Sequence, residues 1–327
     1  MSIIEIKDLT RRFGVVVAVD RLNLEISEGE VFGLLGPNGA GKSTTLNMLC
    51  TMLRPTSGTA TINGLDVESK PNDVRQIIGI VFQDPTIDNR LTGRENLEMH
   101  AELYEVEPML AKKRIDELLK LVELDNRADE VTRNYSGGMR RRLEIARGLI
   151  HHPKVLFLDE PTIGLDPQTR AKIWDYVKKL SDEEKITILL STHYMEEAQM
   201  LCDRVGIIDH GKIVALGRPT DLIKEIGEEV AFLELEDNSK AVLFEAAPFV
   251  KKLKVGKKVS LVLKDGPRSM PEVFEYAAKN GIRILSVELY TPTLNDVFLN
   301  WVGRELRDEH AEGKEATKMT MRKRGMR

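Results

Sequence analysis

Residues Gly36, Pro37, Asn38, Gly39, Ala40, Gly41, Lys42, Ser43 and Thr44 constrain this chain more than any other stretch. They follow the apolar run Val31–Leu35 and lead into a helix that continues through Leu46. A buried strand that turns through glycines into a helix is the setting a phosphate-binding loop requires. Glycines at 36, 39 and 41 let backbone N–H groups converge on phosphate oxygens, and the helix N-terminus adds its dipole. Lys42 has the reach for β- and γ-phosphates, and the Ser43 hydroxyl is a ligand for Mg²⁺.

A second acidic site lies further along. The apolar run 155–158 ends in Asp159, Glu160 and Pro161. Carboxylates at the end of a buried strand sit at the carboxyl edge of a sheet, where ligands bind in α/β folds. Asp159 is suited to hold Mg²⁺, directly or through water, and Glu160 to orient or deprotonate an attacking water.

The surrounding pattern agrees with such a sheet. Apolar runs at 31–35, 78–82, 155–158, 186–190 and 205–208 alternate with helical segments near 42–53, 93–104, 108–122, 137–150, 167–180 and 194–202. Strands alternating with helices predict a parallel sheet buried on both faces. Before it, residues 3–9, 15–19 and 22–26 read as strands of an antiparallel piece. After Gly227 the pattern predicts strands at 229–235, 241–246, 257–263 and 282–289, with helices at 269–279 and 294–302. That is a small α+β unit. From Arg304 the chain is polar without apolar period, which predicts a mobile tail. Its end carries Lys318, Arg322, Lys323, Arg324 and Arg327 and no acid.

Composition narrows the setting. Hydrophobic residues make up 42% of the 327, enough for a sizeable core. Lys and Arg number 48 against 52 Asp and Glu, so no global charge draws the chain to nucleic acid. Cys50 and Cys202 follow no metal-ligand spacing, and a reducing compartment is expected. No apolar run reaches the roughly 18–20 residues of a membrane helix. The first residues include Glu5 and Asp8 rather than a basic, apolar leader. A cytoplasmic protein is expected, one that needs a partner to act at a membrane.

Between the two sites stands a second glycine-rich helix start: Tyr135, Ser136, Gly137, Gly138, Met139, Arg140, Arg141, Arg142 and Leu143. Within one subunit it would compete for space with the loop at 36–44 for the same nucleotide. The ordered set resembles the ABC-type ATPases over about residues 1–225. In that family the Ser-Gly-Gly signature of one subunit closes on nucleotide held by the phosphate loop of another.

The resemblance implies a P-loop NTPase of the ABC type, α/β, with an N-terminal antiparallel β-subdomain, a helical subdomain and a small C-terminal α+β domain. It implies ATP and Mg²⁺ as ligands. Ser136, Gly137 and Gly138 are then expected to contact ATP in trans, and Phe13 to stack on adenine. Gln83 is expected to sense Mg²⁺ and the attacking water, and the loop Gly164, Leu165 and Asp166 to couple the two sites. His193 is expected to touch the γ-phosphate. Ser43, Gln83 and Asp159 are the implied metal residues, and Lys42, Gln83, Glu160 and His193 the catalytic set.

The signature departs from the commonest pattern. Tyr135 stands where Leu is usual, and Met139 replaces Gln, losing a polar contact. This variant is similar to the daunorubicin/doxorubicin-resistance-type exporter ATPases, as are residues 91–97 and 294–299. A membrane exporter is implied, in which the chain forms an ATP-dependent dimer with a second copy of itself. It would work with a separate integral membrane permease, peripheral on the inner face of the cell membrane. The expected division is 1–227 for the ATP-binding domain, with its helical signature part at about 84–152. Residues 228–303 form an accessory domain and 304–327 the tail.

Two alternatives are weaker. An importer subunit would carry an accessory β-barrel, and the predicted helix between C-terminal strands does not suggest one. A protein acting on nucleic acid or the ribosome would show two cassettes or long coiled coils. The chain has one phosphate loop and no sustained heptad run, so no nucleic acid is expected. The Arg140–Arg142 cluster is expected to bond nearby carboxylates or carbonyls.

Overall fold

The computed structural model describes residues 2–227, 229–256, 258–264 and 266–302; the expected tail from 304 lies outside them. Six strands form the central sheet, in the order Lys212–Gly217, Arg204–Asp209, Val31–Leu35, Thr187–Thr192, Val155–Asp159 and Ile78–Val81. Neighbours run parallel except for the first pair. Val31–Leu35, Val155–Asp159 and Thr187–Thr192 are buried at every residue, which is why they read as continuous apolar runs rather than alternating ones. Leu35 stands opposite Thr192, Asp159 opposite Ser191, and Val81 opposite Leu158. The loops that follow these four strands therefore open along one edge.

Ser2–Phe13, Val16–Ser27, Ser57–Ile62 and Leu65–Asp66 make an antiparallel sheet whose apolar side chains share a core with Phe32, Leu46 and Phe157. Helices Gly93–Leu103, Pro108–Leu121 and Gly137–Leu149 surround a separate core containing Leu97, Ile115, Leu119 and Leu143. The first of these helices is started by a reciprocal capping box between Thr92 and Glu95. Tyr135 is buried in the same core, and its hydroxyl donates to the Arg127 carbonyl at 2.6 Å. Met139 packs beside it. The unusual signature residues thus serve the helical core.

The C-terminal sheet has the order Val250–Val255, Val259–Leu263, Val230–Leu235 and Ile284–Tyr290, with Met270–Lys279 packed on one face. Segment 241–246, predicted as a strand, lies within the 3₁₀ stretch Asn238–Ala246, and the strand is Val250–Val255. Ala241 and Phe244, its buried residues, are three apart, and a three-residue turn brings them to one side. The Asp237 carboxylate accepts from the Ser239 N–H and starts that turn.

Helix Leu294–Val302 leaves the small sheet altogether. Leu294, Val297 and Phe298 are fully buried in the core that contains Ala198, Leu201 and Leu222 of the larger unit. Phe298→Ala is therefore expected to cost about 3–5 kcal/mol. Chemical unfolding of the whole chain checks this, with an unchanged midpoint as the contrary result.

A titratable cluster lies between the helical core and the central sheet. The Tyr104 ring stacks on His151 at 3.8 Å and tilts against His100 at 5.0 Å. Burial, aided by the Arg147 charge, pushes His100 down to about 4. Burial also takes His151 to about 4, against the pull of its hydrogen bond with the Ile78 carbonyl. An unfolded imidazole titrates near 6.5, so the unfolded chain takes up protons first. Stability is then lost as pH falls from 6.5 towards 4, by at most about 3 kcal/mol per histidine. Urea unfolding at neutral and mildly acidic pH should show the loss, and a smaller one in His100→Phe/His151→Phe.

Candidate functional site

The phosphate loop leaves Val31–Leu35 and ends at Lys42, the first residue of helix Lys42–Leu49. Gly39 and Gly41 take left-handed backbone angles of φ +76° and +110°, which side chains disfavour. At Gly36 the limit is space, since a Cβ would sit 2.3 Å from the Ile208 carbonyl oxygen. Lys42 is buried, and its Nζ donates to the carbonyls of Gly36 at 2.8 Å and Pro37 at 3.2 Å. The same ammonium lies 3.2 Å from Glu160 Oε1.

Glu160 is the centre of the charged group. Its Oε2 accepts from His193 Nδ1 at 2.6 Å. Burial opposes ionisation, but the His193 hydrogen bond and the Lys42 charge outweigh it and hold the carboxyl below the usual range. Ser43 Oγ donates to Asp159 Oδ1 at 3.1 Å. Ser191 Oγ donates to that same oxygen at 2.5 Å and accepts from the Glu160 N–H at 3.1 Å. A cavity of about 380 Å³ is lined by the loop, Gln83, Glu160 and Ile163, a size suited to a small ligand. The donors of Ser43, Gln83 and Asp159 are all oxygen or amide groups, which fit a hard cation such as Mg²⁺.

Other expected residues stand elsewhere. Ser136 caps helix Gly137–Leu149, accepting from the Met139 N–H at 3.2 Å. A Cβ on Gly138 would meet the Thr169 methyl at 2.4 Å, so the signature packs against helix Pro167–Asp182. Asp166 caps that helix through the N–H groups of Gln168 and Thr169, and Gly164 turns the chain before it at φ +71°. Among the described residues, Ser136, Gly137 and Gly138 do not line the loop cavity of their own subunit, and neither does Phe13. Phe13 is 47% exposed near the tip of the first hairpin, with the Arg11 guanidinium 4.6 Å from its ring centre.

The arginine cluster bonds carbonyls, as expected. Arg140 donates to Thr132 and Arg133, and Arg142 to Val122. Sequence reasoning gave no role to Ser191 or Glu197. Glu197 is fully buried and accepts from Thr162 Oγ1 at 2.9 Å and Trp174 Nε1 at 3.0 Å; burial pushes its carboxyl up. Its signal was present, because Glu197 shares the core face of helix Met195–Leu201 with Ala198 and Leu201.

A glycine-rich phosphate loop, an acidic strand end and a histidine on one sheet edge define a P-loop ATPase. Residues 19–163 match the ABC transporter family, and residues 217–302 match the C-terminal domain of DrrA1-3-like ATP-binding proteins. The daunorubicin/doxorubicin resistance ATP-binding protein DrrA of Streptomyces peucetius is 40% identical over 94% of this chain and 95% of its own. The Nod factor export ATP-binding protein I of Ralstonia nicotianae is 39% identical over 94% of this chain and 95% of its own. A solved dimeric ATP-binding cassette in a post-hydrolysis state, bound to ADP and Pi, is 30% identical. Its TM-score is 0.60 over 66% of this chain and 98% of that one. The chain belongs to the ATP-binding subunits of ABC transporters and is an ATP hydrolase.

Gly36→Ala forces the new methyl onto backbone that cannot yield, so ATP affinity should fall at least about tenfold. Titration with a fluorescent ATP analogue checks this, and wild-type affinity would exclude the tight approach to Ile208.

Proposed function

We propose that two copies of this chain close head to tail around two ATP molecules and drive export through a separate integral membrane permease. The observation that carries the reading is the position of Ser136, Gly137 and Gly138. They form an anion-binding helix start that does not line the phosphate-loop cavity of the same subunit. A second subunit supplies the missing wall, and the partner's Ser136, Gly137 and Gly138 then face the γ-phosphate. The export direction is supported by the DrrA-like match at 217–302 and by the relative named for Nod factor export.

Each residue has a chemical task in this scheme. The loop N–H groups of 36–44 and the Lys42 ammonium bind the phosphates, and Phe13 stacks on adenine. Ser43, Asp159 and Gln83 would hold Mg²⁺, which shields phosphate charge when bound. Glu160, kept ionised by His193 and Lys42, accepts the proton of the attacking water. His193 donates to Glu160 through Nδ1 and presents its other nitrogen to the γ-phosphate. The Gly164–Asp166 loop couples the two sites across the dimer.

We assign residues 1–227 to the ATP-binding domain, with its helical part at about 84–152, and residues 228–303 to an accessory domain whose last helix, Leu294–Val302, packs into the core of the ATP-binding domain. Among the described residues no helix is long and apolar enough to cross a membrane. In the proposed scheme the chain sits at the cytoplasmic face through its permease, the setting that a transporter's ATP-binding subunit requires.

Glu160→Gln keeps the shape of the side chain and removes the proton acceptor. It should bind ATP, pass from monomer to dimer on adding MgATP, and turn over at least about 100-fold more slowly than wild type. Light scattering and phosphate release measure the two outcomes. Wild-type turnover would remove Glu160 from its role, and a monomer with ATP bound would overturn closure in the absence of the permease.

A further inference from the structure

Arg141 holds more of the site's backbone than any other side chain around it. It is 7% exposed. Its guanidinium donates to the carbonyls of Pro161 at 2.7 Å, Asp159 at 2.9 Å, Glu160 at 3.1 Å and Phe82 at 2.5 Å. Three of these carbonyls are consecutive. In an extended strand, successive carbonyls point to opposite sides and cannot share one donor group. Here Glu160 takes φ +49°, a left-handed angle that breaks the alternation and turns all three towards the guanidinium. On its other side the Glu160 N–H is held by Ser191. The fourth carbonyl belongs to the residue directly before Gln83.

The charge is matched locally. Glu144 Oε2 accepts from Arg141 at 3.0 Å, and Glu144 Oε1 accepts from the Thr86 N–H at 2.7 Å. Arg147 donates to the Thr86 carbonyl at 2.9 Å. Residues 141, 144 and 147 form one face of helix Gly137–Leu149 and grip the Gln83 segment before and after the glutamine. A buried, paired guanidinium with planar, spread donors suits four separate carbonyls, whereas a lysine ammonium presents one point of charge.

We infer that Arg141 is a positioning residue for hydrolysis: it fixes the backbone of Glu160 and the entry to Gln83 so that both side chains meet in the phosphate cavity. The inference rests on the proposed role of Glu160. Arg141 does not itself line the phosphate cavity and meets it only through the backbone of Glu160, so its loss acts on the chemical step rather than on ATP binding.

Arg141→Lys tests this in the full chain. The expected result is a kcat lower by roughly 10- to 100-fold, with KM and the ATP dissociation constant within about twofold of wild type. In Arg141→Ala, free guanidinium ion at millimolar concentration should restore part of the lost turnover, and methylammonium should not. That rescue is not expected of a residue that merely supports folding. Wild-type kcat in Arg141→Lys overturns the inference, as does a loss of ATP affinity in step with kcat. If Glu160→Gln is inactive while Arg141→Lys is unimpaired, this inference fails alone. If Glu160→Gln turns over at the wild-type rate, the role of Glu160 fails and this inference falls with it.

Discussion

Leu35 pairs with Thr192, Asp159 with Ser191 and Val81 with Leu158 in one parallel register, and the placement of every polar group at the site follows from that pairing. Register here is set by apolar side chains. Phe32, Phe157 and Leu189 pack on one face, and Leu35, Leu158 and Leu190 on the other. A slip of one residue would exchange the two faces and bury the wrong set of side chains. The carboxylates of Asp159 and Glu160 have no such preference of their own. They reach the edge because the strand ahead of them is locked.

The polar groups delivered to that edge are nearly dry, which makes their pairing obligatory. Lys42 and Glu160 are 5% exposed. An unpaired charge at such depth is strongly unfavourable, and neither residue is left so. Lys42 has two loop carbonyls and Glu160, and Glu160 has Lys42 and His193. The same logic covers the backbone. A left-handed non-glycine residue costs about 1–2 kcal/mol, and at Glu160 the Ser191 and Arg141 hydrogen bonds offset that strain. The carboxylate's aim is thus a property of the backbone beneath it.

This separates what the sequence discloses from what it hides. The phosphate loop, Asp159, Glu160 and His193 each lie within a few residues of a strand end, and strand ends can be read from apolar runs. The sheet and the helical part were legible for the same reason. Arg141 and Ser191 act on residues brought close only by folding, as in the hydrogen bond between Arg141 and Phe82. No local period marks such pairs. Segment 241–246 misled because short apolar runs do not separate a period of two from one of three. Elements such as Ser57–Ile62 and Pro71–Ile77 hold too few apolar residues to announce themselves.

Helix Gly137–Leu149 connects the two halves of the chemistry. Its N-terminus carries the signature capped by Ser136, and further along the same face it carries Arg141, Glu144 and Arg147. A helix is held by its own hydrogen bonds and moves as a rigid body more readily than it bends. If its N-terminus engages nucleotide on a second subunit, any displacement there reaches the carbonyls under Glu160 and both ends of the Gln83 segment on the first. Arg141 lies five residues beyond Ser136 and three beyond Gly138, about 7.5 and 4.5 Å along the axis at roughly 1.5 Å per residue. Little slack exists over that distance. Ligand contact at one site and carboxylate alignment at the other are then consequences of one element's position, with no need for a longer path through the sheet.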